Sequence, residues 1–113
     1  GVRIALNTGY NIDIQNLLVD KLNMINFIDD YISSEEVTKG RPSPYMIHEL
    51  MERNGVSDIN KVLKVGDTVA DILEGKNAGC DTVGVLSGSD SLSMLKKVKP
   101  NFVVNNITCI RFI

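Results

Sequence analysis

The sequence has no tryptophan, one histidine, two cysteines and three prolines, and only 5% of its 113 residues are aromatic. The single histidine, His48, has no partner near it in sequence and is read as a surface or boundary residue. Cys80 and Cys109 stand far apart, in no metal-ligand spacing. Two free thiols imply a reducing compartment, so the expected location is cytoplasmic. No run approaches the roughly 20 apolar residues of a membrane span, so no membrane partner is expected. Charge of one sign is also scarce: 12 basic against 14 acidic residues leave a net −2. That balance gives no electrostatic footprint for nucleic acid, although one pocket can still be positive. What is present, 43% hydrophobic and 23% charged residues, suits one globular domain or part of one. The chain opens on Gly1-Val2 rather than Met, which is read as a cut, a tag scar or an upstream segment lying before it.

Residues 3–8 form a short apolar run ending in polar residues and Gly9, which predicts a strand. Ile12, Ile14, Leu17, Leu18, Val19 and Leu22 follow the helical period, with Asn11 as N-cap and Asp13 in the first turn. Tyr31-Ile32 is the middle of a brief strand. Gly40 and Pro42 make residues 37–42 a loop. Ser43 is placed as cap and Pro44 as first residue of a helix running to about Arg53. That helix is expected to turn Tyr45, Met46 or Ile47, Leu50 and Met51 inward, and to end before Gly55. Residues 61–66 predict a strand leading into Asp67, and residues 68–78 a helix stopped by Gly79. A strand at 82–86, a turn at 87–89, a helix at 90–97 and a strand at 102–104 complete the pattern. There are no repeats and no low-complexity linkers. This alternation argues for an open parallel α/β sheet, in which ligands bind beyond the carboxyl ends of the strands.

The segment from Val65 to Gly79 carries the strongest chemistry. Asp67 leaves a buried strand and Asp71 follows one helical turn later, so both carboxylates can face one site. A hard divalent cation such as magnesium takes one or two carboxylates, several waters and a substrate phosphate. Two close carboxylates repel unless a cation sits between them. Gly66 allows close backbone approach. The bland alternative is a helix start capped by Asp67 with Asp71 exposed. Arg41, in the Pro-flanked loop Gly40-Arg41-Pro42-Ser43-Pro44, can fork onto phosphate oxygens or pair with a carboxylate. Its bland alternative is a solvated loop cation, and Lys39 competes for the same role. Thr8 and Gly9 at the end of the first strand make a small anion nest, or simply a turn. Cys80 and the four methionines read as packing residues.

Taken in order, Asn7-Thr8-Gly9, then Gly40-Arg41-Pro42-Ser43-Pro44, then Gly66-Asp67-Thr68-x-x-Asp71 with Gly75 and Ala78-Gly79, resembles the haloacid dehalogenase-like hydrolases. The form Gly-Arg-Pro-x-Pro and the run 83–88 look like the phosphonatase or phosphoglycolate phosphatase-like branch. Many members have Lys where this chain has Arg41. The resemblance implies a Rossmann-like parallel sheet flanked by helices, here a partial core without its cap domain. It implies that Thr8 hydrogen-bonds the phosphoryl group, that Arg41 steadies phosphoryl oxygens, and that Asp67 and Asp71 hold magnesium, Asp71 directly or through water. It implies a small phosphate-ester or phosphonate substrate and an aspartyl-phosphate intermediate. The family's Asp-x-Asp strand is not among these residues, so the nucleophile is expected outside the chain. Residues 1–113 are therefore expected to be the C-terminal part of a core domain, inactive alone. An N-terminal segment or another chain is expected to complete the sheet. Two other classes compete: a non-catalytic truncated α/β binding module, and a phosphoacceptor signalling domain, whose lone strand-end Asp plus separate acidic pair is not found.

Overall fold

The computed structural model describes residues 2–110. The elements run β1 (Ala5–Thr8), α1 (Ile12–Lys21), β2 (Asp30–Ser33), α2 (Tyr45–Arg53), β3 (Leu63–Gly66), α3 (Val69–Ala78), β4 (Asp81–Val85), α4 (Leu92–Lys97) and β5 (Phe102–Val104). The strands pair in parallel, β1 with β2, and β3 with β4 and β4 with β5. Parallel pairing requires crossovers, which the helices supply, so the molecule is α/β with parallel sheets flanked by helices. Among the described residues no backbone ladder joins β1 to β3, and the strands fall into a pair and a triplet.

The core lies where α2 and α3 meet the strands. Ile32, Met46, Ile72 and Leu95 are fully buried, and Val83 and Val85 of the central β4 lie beside them. Gly75 lets α3 press onto the triplet, because a Cβ there would lie 2.4 Å from a Thr82 methyl. Helix α1 puts a polar residue inside. It buries Gln15 with Val19, while Leu17 is 54% and Leu22 63% exposed. No helix among the described residues is long and apolar enough to cross a membrane.

Local chemistry sets the boundaries. Asn11 caps α1 by accepting from the Ile14 N–H. Gly79 ends α3 at φ +93°, a left-handed conformation that favours glycine. Strand β3 starts two residues later than the sequence suggests, because Ile59–Lys61 winds into a 3-10 turn capped by Asp58. Pro44, not Ser43, is the N-cap of α2, and no side chain caps the helix; Ser43 belongs to a turn in which its N–H donates to the Gly40 carbonyl. Tyr45 stays 45% exposed, because Met46 and Ile47 both occupy the inward arc of the helix. His48 is exposed, with Nε2 3.3 Å from the Ala78 carbonyl oxygen. Cys80 is buried and Cys109 exposed, and both are free thiols.

Candidate functional site

Three segments meet beside the carboxyl end of β1: the turn after β1, the loop before α2, and the first turn of α3. Arg41 joins them. Its Nη1 donates to Asp71 Oδ1 at 2.7 Å. A Cβ placed on Gly9 would lie 2.9 Å from Arg41 Nη2, so the guanidinium lies against the turn after β1 and glycine leaves it room. The peptide bond from Arg41 to Pro42 is cis. Lys39 is exposed, and Arg41 is the cation that meets Asp71 from this loop.

Asp71 is only 4% exposed. It is neither an exposed carboxylate nor the partner of a capping Asp67. Thr68 is the N-cap of α3, and Thr68 and Asp71 form a reciprocal capping box. The Thr68 N–H and hydroxyl donate to Asp71 Oδ2 at 3.2 and 2.8 Å. Lys64 Nζ stands 3.5 Å from Asp71 Oδ1. Burial pushes the Asp71 carboxyl up, but the charge of Lys64 and the donors of Arg41 and Thr68 outweigh it and hold the group below its ordinary value. Gly66 is obligatory beside it, because a Cβ there would fall 2.2 Å from the Asp71 Cβ.

Asp67 is half-buried at the end of β3 and is gripped by the loop after β4. Its Oδ2 accepts from the Ser89 N–H at 2.9 Å, and its carbonyl accepts from the Asp90 N–H at 3.1 Å. Asp90 in turn accepts from the Val69 N–H at 2.8 Å, on the first turn of α3. A Cβ on Gly88 would lie 2.0 Å from Asp67 Oδ2. Among the described residues no Lys or Arg pairs with Asp67. Thr8 ends β1, and its hydroxyl donates to Gln15 Oε1 at 2.7 Å. A shallow cleft of about 350 Å³ opens beside Arg41, lined by Gly9, Ser34, Lys39, Gly40 and Ala70 among others.

The sequence reading passed over Lys64 and Glu74. Glu74 is fully buried, and its Oε1 accepts from Asn7 Nδ2 at 2.9 Å and lies 3.1 Å from Lys64 Nζ. Lys64 also donates to Asn7 Oδ1. Glu74 Oε2 is buried with no hydrogen-bond partner. The available signals were a lysine amid the apolar residues of β3 and a glutamate three positions after Asp71, on the same helical face. Among the described residues no three or more His, Cys, Asp or Glu side chains gather as a metal cluster.

The sequence model of the HAD-hydrolase-like family matches residues 38–110. A phosphonoacetaldehyde hydrolase from Bacillus cereus (strain B4264) is 36% identical over 98 residues, 86% of this chain. The chain spans 37% of that relative's length. A phosphonoacetaldehyde hydrolase-like protein from Oleispira antarctica superposes with a TM-score of 0.83 at 22% identity, over 95% of this chain and 48% of that one. A structure named as a HAD-hydrolase from Bacillus subtilis, bound to magnesium, superposes with a TM-score of 0.77 at 20% identity, over 94% of this chain and 45% of that one. The two superpositions establish the shared fold.

Proposed function

This chain belongs to the haloacid dehalogenase-like hydrolase family, and on that premise we propose that residues 1–113 are the C-terminal part of the core domain of a magnesium-dependent hydrolase. Its substrate is a small phosphate ester or phosphonate. The observation that carries this reading is Arg41, which reaches both the Gly9 turn and the buried Asp71. One guanidinium is thereby fixed over a glycine turn with free space beside it, the arrangement that planar recognition of phosphate oxygens requires.

The Thr8 hydroxyl exchanges Gln15 for a phosphoryl oxygen, the Gly9 turn offers backbone donors, and Arg41 forks onto the remaining oxygens. An Asp carboxylate from outside these 113 residues attacks phosphorus and expels the ester oxygen, which takes up a proton. For a phosphonate it expels a carbon, whose electron pair needs a sink supplied from outside these residues. Water then hydrolyses the resulting aspartyl-phosphate. Asp67 fits a hard cation: it is a carboxylate at a strand end with no basic partner. Asp71 already accepts from Arg41 and Thr68 and faces Lys64, so its share in holding the metal is through water. Magnesium, when bound, neutralises charge on the phosphoryl oxygens.

The partner in this reading is polypeptide that completes the sheet. Among the described residues strands β1 and β3 each lack a second neighbour, yet Asn7 and Lys64 make them face one another. The unpartnered Glu74 Oε2 sits in the same region, and the outward leucines of α1 ask for cover. The protein acts in the cytoplasm and needs neither nucleic acid nor membrane.

The test is hydrolysis of an aryl phosphate and of a phosphonate by the full-length protein, with and without magnesium. Turnover should require magnesium, and Asp67→Asn should raise the magnesium concentration needed for half-activity by about tenfold or more. Retention of phosphate without turnover of either substrate would instead support the binding-module reading. Turnover by residues 1–113 alone would contradict an external nucleophile.

A further inference from the structure

We propose that Lys64 and Glu74 are positioning residues of this site, together fixing Asp71 and, through Asp71, the guanidinium of Arg41. The inference rests on the phosphate-binding part of the reading above. Asp71 Oδ1 is shared by two cations, Arg41 Nη1 at 2.7 Å and Lys64 Nζ at 3.5 Å. Lys64 is not free to move toward either, because Glu74 Oε1, 3.1 Å away, and Asn7 Oδ1 hold its ammonium group between α3 and β1. Asn7 closes the triangle by donating to the same Glu74 oxygen at 2.9 Å. Neither Lys64 nor Glu74 lines the cleft, so any effect on a ligand there passes through Asp71 and Arg41.

Charge counting shows why the pair matters. Two cations and two carboxylates balance in a region where the Lys64, Asp71 and Glu74 side chains are at most 10% exposed. Arg41 is the outer member, its side chain 28% exposed. Without Lys64, two buried carboxylates one helical turn apart are left with a single cation. Arg41 is then pulled inward, off the Gly9 turn. Without the Glu74 charge, Lys64 turns wholly to Asp71 and competes with Arg41 for the same oxygen. Either change displaces the guanidinium without touching the space a ligand would fill.

A double-mutant cycle on the full-length protein tests this, with inorganic phosphate as the probe and calorimetry as the readout. Arg41→Ala, Lys64→Met and Glu74→Gln should each weaken phosphate binding by about tenfold. Lys64→Met or Glu74→Gln added to Arg41→Ala should weaken it by no more than about a further threefold, since the group they position is already gone. Fully multiplicative losses, or single variants with wild-type affinity, overturn the proposal. Circular dichroism reports folding; should Lys64→Met fail to fold, the near-isosteric Glu74→Gln carries the cycle. A coupled cycle in a protein that turns over no ester sinks the hydrolase reading and leaves this one standing. Turnover with multiplicative losses does the reverse, and a wild type that binds no phosphate overturns the positioning proposal, while turnover alone decides the hydrolase reading.

Discussion

At Gly66 a single methyl group would meet the Asp71 side chain, 2.2 Å from its Cβ and 2.4 Å from Oδ2. Strand β3 and helix α3 both hold their ends of that contact, so neither side gives way cheaply. Gly66→Ala is expected to lower stability by about 1–3 kcal/mol in urea unfolding and to weaken phosphate binding through the displaced Asp71. A close approach at this glycine, which precedes two spaced carboxylates, was legible in the sequence, but not that it meets the Asp71 side chain. Glu74 was not. A glutamate on a helix is usually solvated, and only the neighbouring strands, which bring Asn7 of β1 and Lys64 of β3 against it, make this one a buried partner.

Helix α3 shows what element-level reading gains and loses. Its period, its start beside Asp67 and its stop at Gly79 were all readable from residue type. The identity of its cap was not, because Asp67 and Thr68 are both good capping residues and their choice depends on what else competes for them. The loop after β4 takes Asp67, through Ser89 and the crowding of Gly88, and so leaves the cap to Thr68. Thr68→Ala removes both the cap and a donor to Asp71. It should destabilise the protein by about 1–2 kcal/mol in thermal or urea unfolding, whereas Thr68→Ser should recover most of that loss. The period of helix α1 was readable too, but period alone does not say that Gln15 will be needed inside by Thr8.

For the whole molecule, the buried charges make stability depend on acid. The folded-state pKa of Asp71 is lowered, despite a burial effect that raises it, by Lys64 and then by the bonds from Arg41 and Thr68. A lowered pKa contributes stability in full above the unfolded value of about 3.8, and that contribution is lost as pH falls below it through the folded value. Melting temperature should therefore decline below about pH 4, and Asp71→Asn should flatten that decline while lowering the plateau at neutral pH. An Asp71→Asn variant whose melting temperature tracks the wild type throughout this range would show that other carboxylates dominate.

The split between β1 and β3 also bears on the shape of the cleft. Paired strands are locked about 4.8 Å apart by a rigid ladder. Here a lysine, an asparagine and a glutamate set the spacing. The pair and the triplet are thus joined across this gap by side chains rather than by a backbone ladder. The cleft draws Gly9 from one half and Ala70 from the other, so that side-chain bridge sets its width.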